Sequence, residues 1–236
     1  MHYIFSILIE LAYKPKEMRE AILNADGYGI GWKNEKRFWL YKNDLPIWND
    51  INLNSLSKSI SSNLVIGNVR SATIAENLGY FNTHPFFHNN FCFSHNGYIK
   101  DFDILTKKKL LRYFDDKYLG AIKGNTDSEL IFLLLLQYIE RKKNIKKSIK
   151  EVIKIIEINY PAAMLNFLLA VYDNNGKNRL FATKYSKNLT SPSLYYLNNN
   201  KSIFISSEKL NNNNWSAIKD KSLIEVKDYS IKIEKI

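Results

Sequence analysis

The chain has 236 residues, 45% of them hydrophobic and 14% aromatic, with only 5 prolines and 9 glycines. This composition suits one folded domain over residues 1–236 and excludes a disordered or linker-rich chain. The single cysteine, Cys92, excludes a disulfide framework and a cysteine-rich zinc site. The formal net charge of +11 comes from scattered lysines with no zinc-finger, RNP or helix-turn-helix signature beside them, so a solvated basic surface is expected and no nucleic-acid partner.

In chain order, the run Ile4 to Leu11 is apolar but broken by Ser6 and Glu10, and Leu130 to Leu136 is the other long apolar run. Both are too short to span a bilayer, and no basic leader or small-residue cleavage site accompanies the first. A soluble cytoplasmic protein with no membrane partner is expected. Tyr28 to Trp32 and Arg37 to Tyr41 flank Lys33 to Lys36 as a hairpin, and the β-branched Leu64 to Val69 reads as a buried strand. Phe91 to His95 is a short strand after the polar turn His88 to Asn90.

Thr126-Asp-Ser-Glu129 predicts a helix running to about Lys142, with Thr126 as cap and Glu129 reaching back. A second helix is predicted from about Lys146 to Glu157, on the stripe Ile149, Val152, Ile153 and Ile156. Hairpins follow around Asp173 to Gly176, around Asn198 to Lys201, and from Leu223 to Ile233 with a turn at Asp228. Two helices between two batches of hairpins predict an α+β protein with helices packed on mostly antiparallel sheets.

Four segments carry polar chemistry. In Asn24-Ala-Asp-Gly-Tyr-Gly-Ile-Gly-Trp32 the glycine spacing and the lack of a following helix rule out a dinucleotide fingerprint. A turn entering a strand that something approaches closely is the plain reading. Arg70, in Val69-Arg-Ser-Ala-Thr73, ends a buried strand. It suits either bidentate capture of a carboxylate or a structural salt bridge. Asn96-Gly97, after Ser94-His95, offers either a hairpin turn or two adjacent N–H donors of an oxyanion hole, each worth about 10²–10³ in rate. Asp127, at the first helical position of Asn125-Thr-Asp-Ser-Glu129, is either a helix-dipole partner or a holder of an ammonium group.

Together these supply a cation for a carboxylate, an anion for an amine and donors for a carbonyl oxygen, which is what binding and cleaving a glutamine side-chain amide needs. The ordered series NADGYGIGW, VRSAT, NTHPF, SHNG and NTDSE resembles the class II glutamine amidotransferases. It is most similar to the small stand-alone branch related to the ergothioneine-pathway γ-glutamyl amidohydrolase. The resemblance covers about Tyr13 to the chain's end. It implies a four-layer αββα sandwich of two antiparallel sheets, the N-terminal-nucleophile hydrolase type. Arg70 would bind the substrate α-carboxylate with Thr73 nearby, Asp127 the α-amine, and Asn96 with Gly97 would form the oxyanion hole. His84 and His95 would line or support the site, ordinary core or turn histidines being the alternative. No metal or organic cofactor is implied. The expected partner is a small glutamine or γ-glutamyl substrate. A homodimer, or a separate subunit carrying an acceptor site, is compatible with it.

The family attacks the amide with a cysteine directly after the initiator methionine, whose own α-amine serves as base. This sequence opens Met1-His2-Tyr3, and Cys92 sits between Phe91 and Phe93 in an apolar strand, where an inert core thiol is expected. The expectation is therefore a domain lacking its first strand and its nucleophile, and inactive as it stands. The alternative is a non-catalytic relative that binds a γ-glutamyl ligand or a protein partner.

Overall fold

The structure, a computed structural model, describes residues 2–17, 22–71, 79–173, 175–199 and 201–236. Helix α1 (His2–Tyr13) comes first, followed by β1 (Tyr28–Asn34), β2 (Arg37–Asn43), α2 (Leu53–Ser59) and β3 (Val65–Val69). Strands β4 (Phe86–His88) and β5 (Phe91–Ile99) lead to four helices: α3 (Ile104–Leu111), α4 (Asp116–Leu119), α5 (Asp127–Lys142) and α6 (Ile145–Asn159). The chain then returns to strands: β6 (Ala163–Tyr172), β7 (Asn178–Lys184), β8 (Ser186–Lys187), β9 (Tyr195–Asn198), β10 (Ile203–Ser206), β11 (Ser216–Ala217), β12 (Ser222–Lys227) and β13 (Ser230–Lys235).

The described strands pair antiparallel in three sheets. The large one runs β13-β12-β7-β6-β5-β4 with β8 beside β6, and the small ones run β2-β1-β3 and β10-β9-β11. Both small sheets cover the same face of the large one, so the strands form the two expected β-layers, one of them divided into two small sheets. Alternation along the strands makes this possible. Phe93, Leu165, Phe167, Leu169 and Phe181 point to one face, into the main core with α5 and α6. Cys92 and Ala170 point to the other, against Phe38, Leu64 and Ile66 of the β2-β1-β3 region, while Ala182 and Ile224 meet Leu194 and Ile218 near the β10-β9-β11 sheet.

Outside the β2-β1-β3 sheet, Phe5, Leu8 and Ala12 of α1 pack with Tyr28, Ile30 and Ile60. The result is α5/α6, large sheet, small sheets, α1/α2: the four-layer order implied by the resemblance. Helix α1 takes up the apolar run Ile4 to Leu11, because Phe5, Leu8 and Ala12 recur at helical spacing and bury one face. No helix of the described residues is long and apolar enough to cross a membrane.

The two expected long helices form nearly as read. Thr126 Oγ1 accepts the Glu129 N–H at 3.2 Å and starts α5. The other half of the expected cap is different: the Glu129 carboxylate accepts the Lys123 and Gly124 N–H groups, both at 2.8 Å, and so folds the loop before the helix. The Asn96-Gly97 pair is not a turn. Strand β5 runs through it to Ile99, with Asn96 opposite Asn166 and Gly97 opposite Leu165 on β6.

Candidate active site

The glycines of β1 explain why a site exists at all. Gly29 lies in register with Lys42 on β2 and Asn68 on β3, so these three share the face turned to the large sheet. A Cβ on Gly29 would fall inside the His84 carbonyl oxygen, and one on Gly31 would press on Cys92 Sγ. The missing side chains thus form a trough, and Thr83-His84-Pro85, with a cis His84–Pro85 peptide, lies in it. Lys42 fixes that segment by donating from Nζ to the carbonyls of Tyr80 at 2.8 Å and Thr83 at 2.9 Å. Burial holds the Lys42 ammonium down at about 8.

Arg70 ends the same row, two residues beyond Asn68. Its backbone N–H donates to Gly27 O at 3.0 Å, and its carbonyl accepts from Asp26 N at 2.9 Å, so the 26–27 turn and the end of β3 hold each other. The side chain is 9% exposed. Burial pulls its guanidinium down while the charges of Asp26 and Asp127 oppose that shift. His84 is also buried, and its imidazole is held well below the ordinary range by burial, with His95, Arg70 and Lys42 adding to the effect. It is therefore uncharged near neutrality. Among the described residues, the buried side-chain nitrogens and oxygens without a hydrogen-bond partner are Asn68 Oδ1, Arg70 Nη1 and both ring nitrogens of His84. Asn68 and Arg70 lie on this row, whereas the His84 imidazole packs edge-on against Phe86, with ring centroids 4.8 Å apart.

The opposite wall comes from β5 and the start of α5. Asp127 accepts the Ile99 N–H at Oδ2 and the Ser128 N–H at Oδ1, both at 2.7 Å, which ties the helix N-terminus to the strand. His95 links the same helix to β6. Its Nε2 faces the Met164 carbonyl at 3.0 Å, an oxygen that can only accept, so the proton sits on Nε2. Nδ1 then accepts from the Ser128 hydroxyl at 2.9 Å. Burial lowers the His95 imidazole while Asp127 and the Met164 carbonyl oppose it. Gly97 is required by the same contact, because a Cβ there would overlap Met164 O. Asn96 falls on the face of β5 that carries Cys92, the face turned to the trough. It is exposed, and Asn166 opposite is committed to Pro192 O, Tyr185 N and Ser191 Oγ.

Arg70, His84, His95 and Asp127 thus share one electrostatic neighbourhood, and Asn96 and Gly97 adjoin it on β5. Thr73 lies outside the described residues. Cys92 is fully buried, and burial pushes its thiol up to about 12. A surface cleft of about 390 Å³ is lined by Lys16, Glu17, Glu208, Lys209 and Asn211 to Asn213, and shares no residue with this cluster. Sequence reading missed Lys42, Asn68 and Ser128. Asn68 carried a signal, as the one amide inside the apolar run Leu64 to Val69, and Ser128 lay unread inside the NTDSE segment.

The chain is 37% identical over 129 residues to the Probable glutamine amidotransferase DUG3 of Saccharomyces cerevisiae, covering 52% of this chain and 36% of that protein. It is 27% identical over 225 residues to the gamma-glutamyl-hercynylcysteine sulfoxide hydrolase of Mycolicibacterium smegmatis, covering 94% and 86% of the two chains. Among solved structures, a glutamine aminotransferase class-II domain protein from Silicibacter pomeroyi matches with a TM-score of 0.70 at 23% identity, over 88% of this chain and 90% of that one. Glutamine phosphoribosylpyrophosphate amidotransferase from B. subtilis matches with a TM-score of 0.65 at 16% identity, over 99% of this chain and 45% of that one, a likeness of fold alone. The family model described as glutamine amidotransferases class-II matches residues 2–191, a span that takes in Arg70, His84, Asn96, Gly97 and Asp127, and the chain belongs to that family.

Proposed function

We propose that this domain recognises glutamine or a γ-glutamyl amide and is an amide-hydrolysing member of its family, with residues 1–236 supplying the binding and oxyanion half of the chemistry. Arg70 takes the α-carboxylate and Asp127 takes the α-amine. His84 lines the site. The side-chain N–H of Asn96 and the backbone N–H of Gly97 receive the amide oxygen as it becomes an oxyanion. The observation that carries this reading is the buried guanidinium of Arg70, in the field of two carboxylates and with Nη1 left unpartnered. A buried donor of this kind calls for an anionic ligand. The likeness to a probable glutamine amidotransferase of yeast and to a mycobacterial gamma-glutamyl-hercynylcysteine sulfoxide hydrolase supports the same substrate class.

Hydrolysis in this reading runs through a thioester on an N-terminal cysteine. The thiolate attacks the amide carbon, ammonia or an amine leaves, and water releases glutamate. Cys92 is unsuited to that step, being buried against the Gly31 backbone with its thiol pushed up to about 12. Cys92 being their one cysteine, residues 1–236 are therefore proposed to bind without turnover. The alternative is a non-catalytic relative that binds a γ-glutamyl ligand or a protein partner through the same residues.

The test is calorimetric titration of residues 1–236 with L-glutamine, alongside an ammonia-release assay and N-terminal peptide mass spectrometry of the native protein. Binding that Arg70→Met weakens by about 100-fold, with no ammonia released, supports the proposal. Absence of binding overturns the recognition reading, and ammonia release by residues 1–236 overturns the lack of turnover. A native N-terminal cysteine establishes the enzyme reading, whereas a native start at Met1 leaves the non-catalytic one.

A further inference from the structure

Helix α3 presents a surface that the glutamine reading does not use. Its first two residues, Ile104 and Leu105, are 80% and 73% exposed. The helix that carries them is firmly built. Asp103 Oδ1 accepts the N–H groups of Leu105 at 2.9 Å and Thr106 at 2.7 Å, and Thr106 Oγ1 accepts the Asp103 N–H at 2.8 Å. On the inner side Leu110 is fully buried in the main core, and the Thr106 carbonyl accepts the Tyr160 hydroxyl at 3.0 Å. A capped and anchored helix thus holds two adjacent aliphatic side chains out in water, a cost that an apolar neighbour would remove.

The cations that follow lie on the same side. Lys108 and Arg112 continue the Ile104 row at four-residue steps, Lys109 continues the Leu105 row, and all three are exposed. Residues 100–112 hold five cations, Lys100, Lys107, Lys108, Lys109 and Arg112, against Asp101 and Asp103, and the Asp103 carboxylate is turned to the helix start. On α4, α5 and α6 several cations are matched: Lys117 with Glu140, Arg141 with Asp115, Lys142 with Glu151, and Lys146 and Lys150 with Glu234. Among the described residues no such ion pair forms at Lys107, Lys108, Lys109 or Arg112.

The result is an apolar tip with unmatched positive charge one and two turns behind it, about 5 and 11 Å along the helix. An anionic bilayer has the complementary order, with negative headgroups over hydrocarbon that a docked helix enters by about 5–10 Å. The long lysine and arginine stems keep their charges at headgroup level while the aliphatics go deeper. Nucleic acid would meet the cations but offers the aliphatics no apolar phase. We propose that α3 is a docking site for an anionic membrane surface, with Ile104 and Leu105 entering the acyl boundary and Lys108, Lys109 and Arg112 on the headgroups. The expectation of no membrane partner rested on the lack of a spanning run, and a peripheral contact needs none.

Co-sedimentation with vesicles of phosphatidylcholine alone, and of phosphatidylcholine with about a third phosphatidylserine, tests it. The protein should bind the mixed vesicles at least about tenfold more tightly than the neutral ones, and release them in about 0.5 M salt. Ile104→Ser combined with Leu105→Ser should weaken binding by about tenfold. Lys108→Gln, Lys109→Gln and Arg112→Gln together should weaken it by about 100-fold. All five side chains are exposed, so glutamine titration and the urea midpoint should not change. Cys92 is fully buried, so Leu105→Cys supplies the accessible thiol for a polarity-sensitive dye, whose emission should shift to the blue on the mixed vesicles. That single substitution decides the matter if the combined variants fail to fold. Wild-type protein left in the supernatant overturns the proposal. Binding that the Ile104 and Leu105 variant keeps in full also overturns it, leaving only diffuse attraction of a chain carrying +11. A dye that stays in water on bound vesicles does the same. Polyuridylate or polyglutamate bound through α3, with no vesicle binding, assigns the surface to that partner and overturns the membrane.

Discussion

The β2-β1-β3 sheet carries polar groups on both faces and treats them in opposite ways. On the face toward α1 and α2, the Asp50 carboxylate accepts from the hydroxyls of Tyr28 and Tyr41, each at 2.6 Å, and from Asn43 Nδ2 at 2.9 Å. Its other oxygen accepts the Asn52 N–H at 2.8 Å. That network is closed. On the face toward the large sheet, Asn68, Arg70 and His84 leave four buried atoms without partners. Buried polar groups in folded proteins are nearly always satisfied, so a complete network reads as architecture and an incomplete one as a place for a ligand. The distinction can be tested by asking whether damage to each face costs stability or binding.

The largest stability effect should come from the closed face. Asp50→Ala leaves the buried Tyr28 hydroxyl and the half-buried Tyr41 hydroxyl without their acceptor and should destabilise the fold by about 3 kcal/mol in urea titration. Glutamine affinity of the folded protein should not change. The pH dependence has a definite sign. Burial works to raise the Asp50 carboxyl, but the hydroxyls of Tyr28 and Tyr41 with Asn43 and the Asn52 N–H outweigh it and hold the group at about 2, below its ordinary 3.8. A depressed carboxyl contributes stability above its unfolded value and loses it as pH falls through the folded one. About 2 kcal/mol should thus disappear between pH 4 and pH 2. Asp50→Asn should flatten that part of the urea-midpoint profile. An unaltered profile would mean that the closed network does not hold this sheet.

A smaller effect is expected at the floor of the trough. Gly29→Ala puts a methyl group into the His84 carbonyl oxygen, and backbone on both sides leaves little room for relief. It should cost about 2 kcal/mol and also weaken glutamine binding, because His84 and the turn held by Lys42 must move. Gly120→Ala is the matching control. Gly120 ends α4 at φ −67, and an added methyl meets only ordinary contacts, so the change should be neutral or stabilising by up to about 1 kcal/mol. Equal tolerance of alanine at both glycines would mean that the trough is not tightly packed.

The two faces were unequally legible in the sequence. The helices α5 and α6 and the β1/β2, β6/β7, β9/β10 and β12/β13 hairpins were readable because burial imposes periods of 3.6 and 2 that composition does not hide, whereas the short β4 beside β5 was not. Arg70, Asn96, Gly97 and Asp127 were nameable because each sits in a short motif, though each alone also fitted a structural role. Helix α1 escaped because a short apolar run has no unambiguous period. Glu129 looked like a local cap and instead closes the loop at Lys123 and Gly124, a choice made by tertiary packing. Asp50, in the stretch Trp48-Asn-Asp-Ile51, gave no signal, since its partners Tyr28 and Tyr41 are brought to it only by strand pairing. Asn68 and Lys42 likewise become neighbours of Gly29 only through register.

The smallest stability effect, and the sharpest contrast, belongs to Arg70. A buried charge with an unpartnered nitrogen is a burden to the fold, and replacing such groups with apolar ones of similar length is often neutral or stabilising. Arg70→Met should therefore leave the urea midpoint unchanged or raise stability by about 1 kcal/mol, even as it removes glutamine binding. Asp127 keeps its Ile99 and Ser128 N–H partners in the variant, so the helix start is not undone. A loss of stability approaching that of Asp50→Ala would make Arg70 a structural ion-pair partner of Asp26 and Asp127. The inner face would then be a second closed network rather than a ligand site. Retained stability with lost binding is the pattern that only an open network gives.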